Sequence, residues 1–408
     1  MKILWVKTDF LHPTTRGGQI RTLEMLRELH KHHEVHYVAF DDPRNPEGFA
    51  RSPEYSTCAY PIQHRVVSKR SPEFALQLAF GLFDAYPVAG TRYRSRPMRE
   101  RISQLLKSHA FDAKICDFLA PSINIDSMDG WVLFQHNVET IIWERHAQTA
   151  STPLHRAYFH RQAKLMFNWE KAACNSASHV IAVSEVDRKI MRERFGSRSI
   201  SAVGTGVDLD YFAAPQSKSR QFDFVFVGSM DWMPNVDGME WFLSEVFPII
   251  KASKPDARLA IVGRNPPPAL LAKADQSNVT VTGTVADVRP FLWQSAISVV
   301  PLRVGGGTRL KIFEAMAAGT PVVATTIGAE GLPVEHGKTI QIADNPQTFA
   351  SECLHLLNDS QQCLGISQAA LEMVRANFSW ERVTHDFEEI LQAVEPSKAR
   401  PAMNARRT

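Results

Sequence analysis

The stretch that decides the fold is residues 302–321, LRVGGGTRLKIFEAMAAGTP. It follows the apolar run 297–301, which we interpret as a buried strand. It then passes through three glycines, starting at Gly305, into a helical pattern that opens near Thr308. A strand, a glycine turn and a helix in this order are typical of a parallel sheet covered by helices. Glycines let the backbone approach an anion closely, and a helix start presents unpaired N–H groups. The stretch therefore predicts a phosphate-binding turn at the end of a strand.

Charged side chains beyond the glycines fit the rest of a nucleotide. Arg309 and Lys311 add mobile positive charge suited to a diphosphate. Glu314 lies about one and a half helical turns beyond Arg309, where a carboxylate can accept hydrogen bonds from the two hydroxyls of a ribose. The alternative is a plain turn followed by a surface glutamate. The neighbours of Glu314 are apolar, however, and an idle carboxylate in a half-buried stretch is costly. The glycine spacing matches neither GxGxxG nor the Walker pattern.

Short β-branched runs alternate with helix-length amphipathic segments along the whole chain, which predicts parallel sheets with helices on both faces. The candidate strands are residues 2–6, 35–40, 113–116, 132–134, 180–183, 224–227, 259–262, 279–282, 297–301, 322–324 and 339–342. The clearest candidate helices are residues 18–33, 238–254, 308–318 and 347–357.

Eleven strands would make an unusually wide single sheet, and the pattern restarts near Phe222. We therefore expect an α/β fold of two doubly wound, Rossmann-like domains that face a central cleft, with ligands at the carboxyl ends of the strands. The expected divisions are an N-terminal domain at 1–207, a C-terminal domain at 208–376, a helix at 377–395 that packs back on the first domain, and a disordered basic tail at 396–408.

Composition excludes several classes of protein. The 408 residues are 44% hydrophobic and 22% charged, which is typical of a globular chain and excludes wholesale disorder or a coiled-coil rod. A net charge of only +3 argues against a dedicated nucleic-acid binder. The five scattered cysteines show no metal-ligand spacing, which predicts a reduced, cytoplasmic protein without zinc. No membrane span is expected, because the most apolar stretch, 74–83, has half the necessary length.

Five arginines lie within ten residues, which leaves two interpretations open. They are Arg92, Arg94, Arg96, Arg99 and Arg101. One interpretation is a solvated helix face. The other is a surface that contacts anionic lipid, where each well-placed basic residue contributes roughly 1 kcal/mol. The second would place the protein peripherally at the inner face of the plasma membrane.

The run from Gly305 to Leu332, GGGTRLKIFEAMAAGTPVVATTIGAEGL, resembles the donor-binding signature of the family 4 glycosyltransferases. More narrowly, it resembles a branch of sugar transferases found with exopolysaccharide export systems. Gly17-Gly18, FVGS at 226–229, IVG at 261–263 and Gly206-Val-Asp208 agree with the family pattern along the rest of the chain. The resemblance implies a GT-B fold, a nucleotide-sugar donor held by the C-terminal domain, no metal requirement and retention of anomeric configuration.

The resemblance also implies a role for each candidate residue. Glu314 matches the glutamate that holds the donor ribose, and Gly18 matches the N-terminal loop that faces the phosphate and sugar of the donor. Backbone groups of Gly306, Gly307, Thr308, Arg309 and Leu310 match the diphosphate site. Gly228 and Gly263 match turns near the nucleotide, Val285 lies where base contacts are expected, and Arg264 either contacts the nucleotide or faces solvent.

Two departures from the family pattern bear on catalysis. The wider family carries a second glutamate upstream, and Gly306 stands at that position here, so the donor-sugar contact must come from elsewhere. The wider family also places an arginine and a lysine after the first strand of the C-terminal domain. Here residues 228–237, GSMDWMPNVD, contain no basic residue. We hypothesise that Arg309 and Lys311 supply this charge to the departing diphosphate.

The other half of the site is expected at residues 135–139, QHNVE, which follow the apolar strand 132–134. This places His136 at the carboxyl end of a strand, and the resemblance suggests that it approaches the donor sugar or the attacking hydroxyl. Whether His136 acts in chemistry or only in positioning stays open, as does the choice for Glu139 between orienting His136 and capping the next helix. Further candidates near the donor are Asp231, Trp232, Asn235 and Glu330, whose alternative is turn formation or solvent exposure.

These observations lead to one main hypothesis and two alternatives. The main one is a retaining glycosyltransferase that moves a sugar from a UDP- or GDP-linked donor to a saccharide or lipid-linked acceptor in exopolysaccharide or cell-surface glycan synthesis, with no cofactor beyond the donor substrate. The alternatives are a GT-B-like sugar-nucleotide epimerase and a catalytically silent nucleotide-sugar-binding scaffold. Consumption of the donor only in the presence of acceptor distinguishes the first from the others.

Overall fold

The computed structural model describes residues 1–14, 17–64, 84–149, 152–215, 219–273, 278–304 and 309–394, and the chain folds into two compact units. The first unit comprises Met1–Val203 and the segment that begins at Thr384, and the second comprises Gly204–Val383. The division after Val203 lies close to the predicted boundary after residue 207. The return to the first unit begins at Thr384 rather than at residue 377, because the first turn of the last helix still belongs to the second unit.

Seven parallel strands form one sheet in the described part of the first unit. They are β1 Lys2–Val6, β2 Glu34–Asp41, β3 Cys58–Gln63, β4 Ala113–Asp117, β5 Val132–Gln135, β6 His179–Ala182 and β7 Ile200–Ala202. Their order across the sheet is β3-β2-β1-β4-β5-β6-β7. The order reverses between β1 and β4, and the carboxyl ends of these two strands form the switch point at which such sheets bind ligands.

Helices connect these strands, as parallel crossovers require. The described helices are Gly17–His30, Pro46–Ala50, Val88–Thr91, Arg96–Ser108, Glu139–Thr149, Pro153–Ser176 and Glu185–Ile190. Several of these helices have an N-cap residue whose side-chain oxygen accepts a hydrogen bond from a backbone N–H of the first turn. Ser95 accepts from the backbone N–H of Met98, and Thr152 accepts from that of His155. A proline in the first turn follows each cap, where its missing N–H has no helical partner to lose.

In the described part of the second unit, six parallel strands form a sheet in the same doubly wound manner. They are β8 Phe222–Val227, β9 Leu259–Val262, β10 Val279–Val281, β11 Ser295–Val300, β12 Val322–Ala324 and β13 Gln341–Ile342, in the order β10-β9-β8-β11-β12-β13. The switch point here lies between β8 and β11. The described helices are Leu209–Phe212, Met233–Trp241, Phe247–Ser253, Pro268–Leu271, Arg289–Trp293, Leu310–Ala317, Pro346–Asn358, Ser360–Asn377 and Trp380–Ala393.

The structure confirms the predicted α/β class with two doubly wound sheets, and each of the eleven predicted strands overlaps an observed one. The prediction missed β3 and β7. Both are edge strands, which need less apolar sequence than central strands; β3 contains Pro61, and β7 has only three residues. The predicted helix 238–254 begins earlier, at Met233, and contains a π-helical turn at Phe242–Val246.

The last helix, Trp380–Ala393, carries its second half into the first unit. Phe387 is fully buried there, with its ring centroid 5.8 Å from that of Trp5 and 5.1 Å from that of Phe134. Glu388 lies 3.2 Å from the imidazole of His33. The first unit therefore contains side chains from both ends of the chain.

The arginine cluster forms ion pairs that its sequence does not show. Arg94 lies 3.1 Å from Asp84, Arg96 lies 2.7 Å from Glu100, and Arg99 lies 3.4 Å from Asp126. These carboxylates neutralise much of the positive charge locally, which favours the solvated-surface interpretation. Arg65, Lys69 and Arg70, which belong to the same basic region of the sequence, lie outside the described residues. In the described part of the chain, no helix has both the length and the apolar character needed to cross a bilayer.

Candidate active site

The two switch points carry most of the predicted site residues, so each unit has its own cluster of candidate residues. In the first unit, Lys7 directly follows β1, Asp117 ends β4 and His136 follows β5. In the second unit, Gly228 follows β8, and the helix Leu310–Ala317 comes after β11. Polar groups gather at these strand ends because the loops and helix starts of a parallel sheet meet there.

The buried carboxylate of Asp117 lies at the centre of the candidate residues of the first unit. Its Oδ2 accepts hydrogen bonds from Nζ of Lys7 at 2.9 Å, Oγ1 of Thr22 at 2.7 Å and Nε1 of Trp5 at 2.9 Å. Burial opposes the ionisation of Asp117, but Lys7 and His136 outweigh that effect and hold its pKa below the ordinary value. Asp117 is therefore a fixed negative charge beneath the switch point.

The imidazole of His136 contacts this carboxylate and is neutral. Its Nε2 lies 2.7 Å from Oδ1 of Asp117, and neither atom has a hydrogen bond to any other described residue. Burial lowers the pKa of His136 to about 4, although Asp117 acts in the opposite direction. Because Asp117 faces Nε2, a proton on that nitrogen leaves Nδ1 as the acceptor. Nδ1 is 3.5 Å from the position that a Cβ on Gly18 would take, so it faces the first turn of the helix Gly17–His30, where the family resemblance had implied a loop.

The aromatic ring of Phe118 covers one face of the imidazole of His136. Its ring stacks on the imidazole with centroids 3.9 Å apart, and Nζ of Lys7 lies 4.2 Å from its ring centroid. A Cβ on Gly18 would lie 2.6 Å from Cζ of Phe118, so only glycine leaves room for the ring. Phe118 has a φ of 72°, a left-handed conformation that is strained for a bulky side chain and is found mostly at functional sites.

An open cavity of about 450 Å³ lies over this network, and we call it the amino-terminal cavity. Its lining includes Asp9, Gly18, Arg92, Phe118, Glu139 and Trp169. His136 is 5% exposed and does not line the cavity, whereas its neighbours Phe118 and Asn137 do. Burial raises the pKa of Glu139, which a hydrogen bond with Asn137 only partly offsets. The cavity thus offers aromatic faces and charged groups of both signs.

Lys311 is the cation at the centre of the candidate residues of the second unit. Its Nζ donates to Oδ1 of Asn235 at 2.7 Å and lies 4.4 Å from the ring centroid of Phe226. Burial lowers the pKa of Lys311 to about 7; Glu314 opposes this shift and Arg309 adds to it. A cation that is half desolvated in this way interacts strongly with an anion placed beside it.

Glu314 lies one helical turn beyond Lys311 and is half-buried. Burial raises the pKa of Glu314 to about 7, with Lys311 acting in the opposite direction. Its carboxylate accepts no hydrogen bond from any of the residues that the structure describes. A half-buried acid without such partners is costly unless a ligand supplies them, so Glu314 is a candidate for binding hydroxyl groups.

Two glycines let the strand ends of the second unit approach each other. A Cβ on Gly263 would lie 1.8 Å from the carbonyl oxygen of Gly228, and a Cβ on Gly228 would lie 2.7 Å from Nζ of Lys311. The first contact is with backbone, which cannot move aside. The second is with the end of a flexible side chain. Both predicted glycines therefore border the group that surrounds Lys311.

Arg309 differs from the mobile cation expected from the sequence. It is 3% exposed, it occupies the N-cap position of the helix Leu310–Ala317, and its Nη2 donates to the carbonyl oxygen of Ile327 at 2.9 Å. Nη2 also lies 3.9 Å from the carboxylate of Glu330. The hydrogen bond to Ile327 holds the guanidinium in place. Arg309 fixes the 325–330 loop against the helix, and Lys311 is the cation with an exposed face.

The remaining candidates of the second unit lie in a hydrogen-bonded turn, lie beside Lys311, are half-buried, or lie outside the described residues. Arg264 donates from Nε to Oγ of Ser229 at 2.8 Å and lies 3.4 Å from Asp231, so it belongs to a hydrogen-bonded turn at the end of β8 and β9. Asn235 is committed to Lys311 and to the carbonyl oxygen of Ser229, while Trp232 is 39% exposed beside it. Val285 and Leu310 are half-buried. Gly306, Gly307 and Thr308 lie outside the described residues, as does Gly305.

Both halves of the chain match known protein families. Residues 15–211 match the family described as Glycosyltransferase Family 4, and residues 221–359 match the family described as Glycosyl transferases group 1. The chain belongs to the family 4 glycosyltransferases. As a glycosyltransferase it is an enzyme, and the two matched families divide between the two structural units.

Curated relatives and solved structures resemble this glycosyltransferase over much of its length. An uncharacterized 44.6 kDa protein in the cps region of Klebsiella pneumoniae is 22% identical over 72% of this chain and 76% of its own. A GDP-mannose-dependent alpha-(1-6)-phosphatidylinositol monomannoside mannosyltransferase of Mycobacterium tuberculosis is 27% identical over 52% of this chain and 61% of its own.

Solved structures share the fold. Sucrose-phosphate synthase from Thermosynechococcus elongatus aligns with a TM-score of 0.70 at 17% identity, covering 97% of this chain and 99% of its own. Anabaena HepE in complex with UDP-glucose aligns with a TM-score of 0.60 at 16% identity, covering 96% and 100%. These likenesses establish the GT-B class of the fold.

Sequence reasoning missed Lys7, Asp117 and Phe118, which surround His136 in the structure, and Glu170, which binds both ends of the loop that carries it. The available signal was a polar residue at the end of an apolar strand, as at Lys7 and Asp117. That signal was too weak alone, because the order of strands in the sheet decides which strand ends are neighbours, and the sequence does not show that order. In the described part of the chain, no cluster of three metal-ligating side chains is present.

Proposed function

We propose that this glycosyltransferase transfers a sugar, with retention of anomeric configuration, from a nucleotide-diphosphate sugar to a saccharide or lipid-linked acceptor in the synthesis of a cell-surface or exported polysaccharide. The observation that carries the proposal is the pairing of Lys311 and Glu314 on one helix at the switch point of the second unit. A cation and an acid one turn apart match a diphosphate and a ribose.

Lys311 supplies positive charge to the leaving diphosphate in this proposal. Glycosyl transfer places negative charge on the departing phosphate oxygens, and a preorganised cation stabilises that charge without reorganisation. Asn235 holds Nζ of Lys311 in position before the donor binds. This arrangement replaces the basic pair that the wider family carries after β8. Arg309 contributes its charge from a fixed position at the start of the same helix.

Glu314 binds the donor ribose through its carboxylate, which the described protein residues leave available. Gly228 and Gly263 keep the strand ends open for the nucleotide, and His136 presents Nδ1 towards Gly18 at the start of the helix Gly17–His30. A neutral imidazole in that orientation accepts a hydrogen bond from a sugar hydroxyl. If the leaving phosphate takes the proton of the attacking hydroxyl, His136 serves in positioning. If it does not, His136 serves in proton transfer.

The similar proteins support two donor classes. HepE is solved with UDP-glucose, and the mycobacterial relative is GDP-mannose-dependent, so the proposed base is uracil or guanine. The relative in a cps region supports a place in polysaccharide synthesis, and the name of the mycobacterial relative includes a lipid-linked acceptor. We propose that the reaction needs no metal or further cofactor and takes place in the cytoplasm.

A donor screen followed by turnover tests the proposal. Thermal-shift titration with UDP- and GDP-sugars identifies the donor, and release of UDP or GDP is then followed with and without oligosaccharide acceptors, in the presence of EDTA. We expect donor consumption to rise when acceptor is added and to persist in EDTA. Slow donor conversion to an isomer without acceptor would instead indicate an epimerase, and binding without turnover would indicate a scaffold.

A further inference from the structure

One buried glutamate, Glu170, lies beneath the loop that carries His136, and the sequence predicts no role for it. Glu170 is in the middle of the helix Pro153–Ser176 and is completely buried. Burial raises the pKa of Glu170 to about 7, and the hydrogen bonds from Thr140 oppose that rise. A buried carboxylate is costly unless several donors surround it, so its partners define its purpose.

Four donors converge on this carboxylate. Oε1 accepts from Nε2 of Gln135 at 3.2 Å and from the backbone N–H of Glu139 at 2.9 Å. Oε2 accepts from the backbone N–H of Thr140 at 2.8 Å and from its Oγ1 at 2.5 Å. The two backbone groups belong to the first turn of the helix Glu139–Thr149, whose N–H groups have no partner within the helix.

These four contacts hold both ends of one loop. Gln135 is the last residue of β5, and Glu139 begins the following helix, so the loop 136–138 is fixed at its two ends by a single side chain. His136 lies in that loop, and Glu139 lines the amino-terminal cavity. Glu170 itself does not line the cavity, so it acts through the loop rather than on substrate.

We propose that Glu170 is a positioning residue for sugar transfer: by clamping Gln135, Glu139 and Thr140, it sets the position of His136 and Glu139. This role rests on the proposed function. An ordinary stabilising hydrogen-bond acceptor would affect only folding, whereas a positioning residue also changes the rate of the chemical step when it is altered, because small displacements of reacting groups slow a reaction strongly.

The variant that tests this is Glu170→Gln, which keeps the shape of the side chain but turns an –NH₂ group towards one pair of donors. Ile102→Val is the matched control, because Ile102 is buried in the core of the same unit and its apolar side chain makes no hydrogen bond to Glu170. Hydrogen exchange of the backbone amides of Glu139 and Thr140 is measured in each variant. We expect exchange at least tenfold faster in Glu170→Gln and wild-type exchange at these amides in the control.

Kinetics provide a second readout. Hydrolysis of the UDP- or GDP-sugar that binds most tightly is measured without acceptor. We expect Glu170→Gln to lower kcat about tenfold with KM within about twofold, because the donor is held by the other unit. Added to His136→Asn, Glu170→Gln should lower the rate no further, since both changes remove the same contribution.

Wild-type kcat in Glu170→Gln, or unchanged exchange at Glu139 and Thr140, would overturn the proposal, as would rate losses that multiply in the double variant. If Glu170→Gln does not fold, Thr140→Val removes one of the four donors with little change in shape, and the same expectations apply at smaller size. The exchange measurement needs no donor, so it separates a failure of this proposal from a failure of the proposed function.

Discussion

At the residue scale, the candidate site consists of ionisable groups whose protonation is set by burial. Lys311 and Glu314 both have a pKa of about 7, although one is a base and the other an acid, because burial disfavours the charged form of each. A bound diphosphate favours the charged form of Lys311. If the donor binds at Lys311 as proposed, its binding and the protonation of this residue are coupled.

The first prediction follows from that coupling. UDP-glucose, whose diphosphate does not titrate near neutrality, should bind more weakly as the pH rises from 6 to 8, because Lys311 loses its proton through a pKa of about 7. Lys311→Arg should not lose affinity as the pH rises, since arginine stays charged and Glu314 is the group that still titrates near pH 7. Lys311→Ala should lower turnover about a hundredfold. Calorimetric titration at several pH values checks the first two, and equal pH slopes in wild type and Lys311→Arg would contradict the assignment.

The second prediction concerns the two glycines beside Lys311. Gly263→Ala should destabilise the second unit by about 1–3 kcal/mol, because the new methyl group meets the carbonyl oxygen of Gly228. Gly228→Ala meets Nζ of Lys311 and the amide of Asn235 instead, so it should fold nearly normally but bind donor weakly. Urea unfolding and donor titration are compared for the pair. Weak binding in a fully stable Gly263→Ala would contradict this ordering.

The third prediction uses the left-handed backbone of Phe118. Alanine is usually more stabilising than glycine, but at a φ of 72° the order reverses because glycine adopts this conformation without strain. Phe118→Gly should be more stable than Phe118→Ala by about 1 kcal/mol. Chemical unfolding of both variants measures the difference, with Phe49→Gly and Phe49→Ala, in a helix of ordinary conformation, as the control pair. The same order in both pairs would disprove the strain.

At the element scale, the last helix serves the unit that contains the first strand. Trp380–Ala393 is strongly amphipathic in sequence, and its buried residue Phe387 packs on Trp5 of β1 and Phe134 of β5. The sheet of the first unit is therefore covered by a segment nearly 400 positions away along the chain. Contacts of such long sequence separation can form only when most of the chain is present.

The fourth prediction tests this helix. Phe387→Ala should destabilise the first unit by about 3–5 kcal/mol, the usual loss for removing a fully buried phenylalanine. Hydrogen exchange should become faster in β1 and β5, while β8 and β9 in the second unit exchange as before. Leu364→Ala, which removes an exposed side chain from a neighbouring helix, serves as the control. Faster exchange in β8 rather than β1 would show that the helix serves the other unit.

At the scale of the whole molecule, the chain comprises two units of the same architecture with different tasks. Each has a switch point, and the first concentrates a buried aspartate, a neutral histidine and aromatic rings there, whereas the second concentrates a lysine, an acid and close glycines. This division matches the two family descriptions, one for each unit.

The fifth prediction belongs to this scale. A UDP- or GDP-sugar that binds the second unit should slow hydrogen exchange in the strands of Gly204–Val383 more than in β1 to β7. At a donor concentration about a hundredfold above its dissociation constant, linkage adds about 2.7 kcal/mol to the stability of the unit that binds. Exchange mass spectrometry with and without donor measures it. Protection that appears first in β1 and β4 would place the donor in the wrong unit.

Much of this could be predicted from the sequence by itself, because local patterns determine local structure. Alternating apolar runs and amphipathic segments gave the α/β class and eleven strands, and the family resemblance indicated Gly18, Gly228 and Gly263. The spacing of Lys311 and Glu314 on one helix follows from helical geometry alone. These features depend on residues close together in the chain.

Only the tertiary structure decided the rest, because it depends on which strand ends and helices become neighbours. The order of strands brought Lys7 and Asp117 together from positions 110 residues apart, and with them came the neutral state of His136. Folding likewise buried Arg309, paired three of the clustered arginines with carboxylates, and placed Glu170 under the histidine loop. Burial and pairing are properties of the assembled sheet, so residue types and spacing do not reveal them.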